Sequence, residues 1–250
     1  MRPVLDELFE KFQTVYTPDP SIAIDESLLL WKGRIIFQQF LPLKRARFGI
    51  KMFCLSEDSG YMYRFRVYVH WQSPTDVIDL QLPQECADFS VTEKIVVHMI
   101  MSLLNKGYTI WMDNWYSSCR LYDFLHHNGT MACGTMRSNR VPPEVRNANP
   151  QVGQLSDFRS GPLLCLKYKD KKDVYMLTTQ NDESVVSVNR CLDKRPRQDV
   201  VLTKPMCIVG YNSNMGSVDK QDQMLKPYSI ARKSMKWYKK LTMHLLQNCT

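Results

Sequence analysis

Residues 90 to 135 leave this chain little choice of structure. Ser90 and Glu93 stand at capping-box spacing, so the chain predicts a helix over 91–106. Ile95, Val96, Met99, Ile100, Leu103 and Leu104 form its apolar face, and Gly107 supplies the stop. Tyr108 to Met112 then reads as a short buried strand ending at Asp113. Ser118 can cap a second helix, with Leu121, Phe124 and Leu125 inward and Asn128-Gly129 as terminator. Thr130 to Thr135 is strand again. Helix, strand, helix, strand in this order requires a mixed α/β layer and excludes all-α and all-β folds.

Elsewhere the reading is coarser. Residues 3–15 predict a helix with Val4, Leu5, Leu8, Phe9 and Phe12 on one face. Ser21 to Ile24 starts a strand that delivers Asp25. Phe48 to Leu55 and Tyr61 to Val69 read as a hairpin around the turn-rich Ser56-Glu57-Asp58-Ser59-Gly60. After Ser138 the texture changes. Pro142-Pro143 and Asn147 to Pro150 are loop-like, and Leu163–Tyr168 with Val174–Thr179 predict another hairpin. Met206 to Tyr211 reads as an apolar strand, and Ser217 as the cap of a helix holding Asp219 and Asp222. Lys236 to Asn248 is a last helix, with Trp237, Leu241 and Leu245 expected to face protein.

Charge and cysteines narrow the setting. The net charge is +8, and from Gln223 to Thr250 no residue is acidic. Lys226, Arg232, Lys233, Lys236, Lys239 and Lys240 make that end a match for a polyanion, or a solvated basic face. The eight cysteines never fall two to four residues apart, which argues against a structural zinc ribbon and for a reduced compartment. The longest apolar run, Ile95 to Leu104, is too short to span a membrane and is interrupted by His98 and Ser102. The N-terminus lacks the apolar stretch of a secretory signal.

Two aspartates, Asp25 and Asp113, are expected immediately after the ends of apolar strands, and Asp219 lies near a helix start with Asp222 three residues on. Such aspartates commonly serve as caps and turn residues. Three of them converging would instead bind a hard divalent cation through oxygen.

The flanking residues bear on that choice. Ser21-Ile22-Ala23-Ile24-Asp25-Glu26-Ser27-Leu28, Lys32-Gly33-Arg34 and the stretch from Leu41-Pro42 to Lys51 resemble the first catalytic block of piggyBac transposases. Met112-Asp113-Asn114-Trp115-Tyr116-Ser117-Ser118 resembles the second, and Cys133 to Arg140 the family's next strand and loop. Gly216 to Met224 resembles the third. The resemblance implies an RNase H-like mixed sheet with flanking helices, interrupted by a β-rich insertion. It implies a flanking helix over 1–19, catalytic core over 20–138 and 206–225, the insertion over 139–205, and a second, truncated flanking segment over 226–250.

It further implies Asp25, Asp113 and Asp219 as catalytic metal ligands, with Asp222 as an auxiliary catalytic residue and Mg²⁺, or Mn²⁺ in its place, as the ion. The implied reaction is nicking and strand transfer at transposon ends of double-stranded DNA, with insertion at TTAA, by a homodimer in the nucleus. Lys32, Arg34, Lys44, Arg45, Arg47, Arg137, Arg140, Lys236, Lys239 and Lys240 are the expected DNA contacts by charge. Members carry longer N-terminal and cysteine-rich C-terminal regions, so the chain is expected to be a fragment, a shortened gene or a degenerate copy. The competing expectation is a host-adopted DNA-binding protein that keeps the fold without turnover.

Overall fold

The computed structural model describes residues 2–42, 47–68, 82–180, 184–194, 197–228, 230 and 234–249. In chain order the elements begin with helix α1 (Arg2–Val15) and strands β1 (Ser21–Leu30), β2 (Gln39–Phe40), β3 (Phe48–Glu57) and β4 (Met62–Val67). Next come α2 (Val91–Ile100), β5 (Thr109–Met112), α3 (Cys119–His127), β6 (Met131–Thr135) and α4 (Pro143–Arg146). β7 (Leu155–Ser160), β8 (Leu163–Lys169), β9 (Asp173–Thr178), β10 (Val185–Lys194) and β11 (Arg197–Pro205) follow. The chain continues through α5 (Met206–Asn214), α6 (Ser217–Leu225) and α7 (Trp237–Gln247). It divides into two compact units, one of Met1–Ser102 with Met215–Thr250 and one of Leu103–Asn214.

In the first unit β3 is the organising strand. It pairs antiparallel with β1 along its whole length, from Ile22 opposite Glu57 to Leu30 opposite Gly49. Its other edge takes β2 at Gly49 and β4 at Met52 to Ser56. The β3–β4 turn is the expected one, and Gly60 there has φ 89°, a conformation that favours glycine. Side chains alternate along β1, so Ala23, Asp25, Ser27 and Leu29 share one face. That face carries the core: Leu29, Met52, Cys54 and Phe65 pack with Phe12 of α1, Val218 of α6, and Leu241 and Leu245 of α7. Trp237 joins them, edge-on to Phe37 at 5.2 Å, so the predicted inward stripe of the last helix is borne out. On the opposite face Lys51 pairs with Glu26 at 3.0 Å, and Arg64 and Arg66 approach His98 Nε2 of α2.

The second unit is a mixed sheet in the order β5-β6-β9-β8-β7. β5 and β6 run parallel with α3 as their crossover, and the remaining pairs are antiparallel. β10 and β11 form a separate two-stranded ladder. The Ser90–Glu93 capping box forms as expected, and Ser118 accepts from the Leu121 amide.

Several expectations change. α2 ends at Ile100 and tightens into a 3₁₀ turn over Met101–Leu103, short of Gly107. Met206 to Tyr211 is helix, not strand, because a six-residue apolar run has no decisive period. Tertiary packing decides it: Cys207 and Ile208 are buried, and Gly210 lies so close to the Trp111 ring that a Cβ would approach it at 2.6 Å. Ser217 is the first residue of α6 rather than its cap, and its buried hydroxyl donates to Ser56 O at 3.2 Å. Pro143 opens a short helix where a loop was expected, at the helix position a proline tolerates best. β7, β10 and β11 had no clear apolar signal; Leu155 to Ser160 is almost wholly exposed.

Candidate active site

Asp25 is the fifth residue of the ten in β1, so the strand does not end before it as expected but carries it mid-length. It is half-buried, opposite Cys54 in the register, on the face covered by α6. Three polar contacts seat that helix. Ser27 Oγ, two residues along the same face, donates to Asp222 Oδ1 at 2.8 Å. Gln221 Oε1 accepts from Ser56 Oγ at 2.8 Å, and Ser217 makes the bond already given. Asp222 thereby ties α6 to the strand of Asp25. Asp219, three residues earlier in the same helix, is exposed.

Asp113 follows β5 in the second unit, as expected. Its Oδ1 accepts from the Trp115 amide at 2.8 Å, an Asx turn. Its carbonyl oxygen accepts from the amides of Tyr116 and Ser117 at 3.2 and 3.3 Å and from Ser117 Oγ at 3.0 Å. The turn role that aspartates often play at strand ends is therefore present here.

The basic candidates fall into three groups. Lys32 and Arg47 line an open cleft of about 650 Å³ with Leu30, Gln38 and Phe48, and Arg34 is exposed nearby in sequence. Arg137 and Arg140 are exposed yet engaged: Arg137 Nε donates to Asn114 Oδ1 at 3.2 Å, and Arg140 Nη1 to Ser117 O at 2.9 Å. Both therefore brace the Asp113 turn. In the tail, Lys236 and Lys239 are exposed, while Lys240 is partly buried and its pKa is lowered by desolvation. Lys44, Arg45, Arg232 and Lys233 lie outside the described residues.

An all-carboxylate donor set has the chemistry for a hard divalent cation. Among the described residues no three His, Cys, Asp or Glu side chains gather into a ready metal cluster. No helix among them is long and apolar enough to cross a membrane. Sequence reasoning missed Ser27 as the partner of Asp222. A serine on the apolar face of a strand was the available signal, since a buried hydroxyl needs a partner.

Known proteins resemble the chain over nearly all of its length. The family model described as Transposase IS4 matches residues 1–250. PiggyBac transposable element-derived protein 3 from Homo sapiens is 24% identical over 249 residues, covering 95% of this chain and 40% of that protein. PiggyBac transposable element-derived protein 2 from Homo sapiens is 23% identical over 256 residues, with the same shares. A cryo-EM structure of a piggyBac transposase synaptic complex with hairpin DNA superposes with a TM-score of 0.80 at 25% identity, covering 99% of this chain and 48% of that one. This likeness bears out the expected mixed α/β architecture. The chain spans less than half the length of these relatives.

Proposed function

Because the chain belongs to the Transposase IS4 family, and within it to the piggyBac type, we propose that it is the DNA-nicking and strand-transferring core of a transposase. The observation that carries this reading is the Ser27–Asp222 bond, which holds the helix of Asp219 against the strand of Asp25. In the proposal Asp25, Asp113 and Asp219 are the carboxylates that would hold Mg²⁺ or Mn²⁺. Such ions, when bound, activate the attacking oxygen and stabilise the leaving one. The rest falls to the chain. Lys32 and Arg47 would take backbone phosphates in their cleft, and Asp222 would keep α6 seated rather than ligate.

In the same proposal 20–138 and 206–225 are the catalytic core around an insertion over 139–205, flanked by 1–19 and 226–250. The complex of the structural neighbour with hairpin DNA supports DNA as the partner; in the proposal that DNA is the transposon ends, the target is TTAA, the assembly is a homodimer and the place of work is the nucleus. The decisive experiment is nicking of labelled transposon-end DNA in Mg²⁺ or Mn²⁺, with Asp25→Asn and Asp113→Asn beside the parent. Loss of nicking with DNA affinity retained is expected; unchanged nicking in either variant would place the chemistry elsewhere.

The names of the human relatives, transposable element-derived proteins, favour a second reading. In it the chain is a host-adopted DNA-binding protein without turnover, which would bind the same DNA and leave it uncut in either metal.

A further inference from the structure

Beneath the Asp113 turn lies a buried hydroxyl pair that the reaction itself does not require. Ser117 is fully buried, and so is Tyr122, one turn into α3. Ser117 Oγ lies 3.0 Å from Asp113 O and 3.1 Å from Tyr122 Oη. A serine hydroxyl has one proton, and here it is engaged by a carbonyl oxygen, which can only accept. The Tyr122 hydroxyl must therefore donate to Ser117, giving a directed chain from Tyr122 O–H through Ser117 O–H to the Asp113 carbonyl. Burial holds the Tyr122 phenol far above its ordinary pKa, so it keeps the proton that the chain needs.

We infer that Tyr122 is a positioning residue for Asp113, acting through Ser117. The inference rests on the reading of Asp113 as a metal-binding carboxylate, and three observations support it. The Asp113 carbonyl takes three donors, which restrains the backbone at that residue, and the Asx bond from the Trp115 amide holds one carboxylate oxygen. Gly134 of β6 lies against the same pair: a Cβ there would clash with Met112 O and come within 2.7 Å of Tyr122 Oη and 3.0 Å of Ser117 Oγ. Arg140 closes the far side by donating to Ser117 O. The hydroxyl pair is thus closely packed beside the turn, and a carboxylate that must meet a cation needs such restraint.

The test uses the whole chain and two readouts. Amide hydrogen exchange at Trp115 and Ser117 reports the turn without metal or activity. In Tyr122→Phe and Ser117→Ala, exchange at Trp115 should quicken about tenfold, as loss of one buried hydrogen bond predicts. Ser117→Thr, which keeps the hydroxyl, should restore the parental rate. Val145→Ala, a buried change elsewhere in the second unit, should leave the turn amides unaffected. In graded Mn²⁺, Tyr122→Phe should raise the half-saturating concentration for nicking about fivefold, within the range seen when a second-layer partner of a ligand is removed. Unchanged Trp115 exchange in both variants overturns the inference, as does faster exchange with an unmoved Mn²⁺ half-saturation. Parental nicking by Asp113→Asn would sink the reading of Asp113, while the exchange result would still decide whether Tyr122 positions it.

Discussion

Ser27 and Asp222, 195 positions apart in sequence, meet at 2.8 Å where α6 crosses β1. The serine is buried and the aspartate half-buried, so the bond is a charge-assisted one partly shielded from water. Ser27→Ala should therefore lower unfolding stability by about 1–2 kcal/mol, read from the urea midpoint at unchanged slope. Ser27→Thr, which keeps the hydroxyl, should recover most of it. An alanine variant as stable as the parent would show that the contact does not hold the helix.

Asp113→Asn separates chemistry from folding. The asparagine oxygen can still accept from the Trp115 amide, so the Asx turn persists and stability should move by no more than about 0.5 kcal/mol. On the proposed reading of Asp113 as a metal ligand, nicking should disappear, because the substitution removes the negative charge that would hold the cation. A large fall in thermal stability would mean that the charge itself serves the fold.

Gly134 should not tolerate a side chain. An alanine Cβ would meet Met112 O, Tyr122 Oη and Ser117 Oγ, and all three belong to fully buried residues. Gly134→Ala should cost about 1–3 kcal/mol, the usual range for overpacking. Calorimetric unfolding at the parental temperature would refute this.

The tail predicts a salt effect. Lys236 and Lys239 are exposed, whereas Lys240 is partly buried with a lowered pKa, so two cations rather than three are available to phosphate. Replacing both with Gln should flatten the slope of log affinity against log salt by about 1.8. It should weaken binding to all DNA sequences alike. An unaltered slope would return this face to plain solvation.

His244 gives α7 a pH dependence. Burial, with some repulsion from Lys240, lowers its pKa to about 4 from the ordinary 6.5. The unfolded chain therefore takes up this proton first. Stability from His244 is complete above pH 6.5 and is lost as pH falls toward 4, by about 2 kcal/mol once partial exposure of the ring is discounted. Denaturant midpoints between pH 7 and 4 should fall, and His244→Gln should flatten that part of the curve. A parallel decline in the variant would assign it to other groups.

Local pattern alone determined much of this protein. The capping box at Ser90, the cap at Ser118, the turn ending at Gly60 and the inward stripe of Trp237, Leu241 and Leu245 each depend on residues a few positions apart. Their outcome is set by hydrogen bonds and periodicity that any fold would respect. The aspartates were legible as candidates for the same reason, from the residues on either side of each. Tertiary structure alone decided what short-range chemistry leaves open. Met206 to Tyr211 suits strand or helix equally until Gly210 meets the Trp111 ring. Ser217 could cap α6 until the Ser56 carbonyl is there to accept its proton. Asp222 is one more helical carboxylate until Ser27 reaches it from a strand 195 positions away. A buried polar group takes the partner that packing brings to it, and packing is settled by the whole chain.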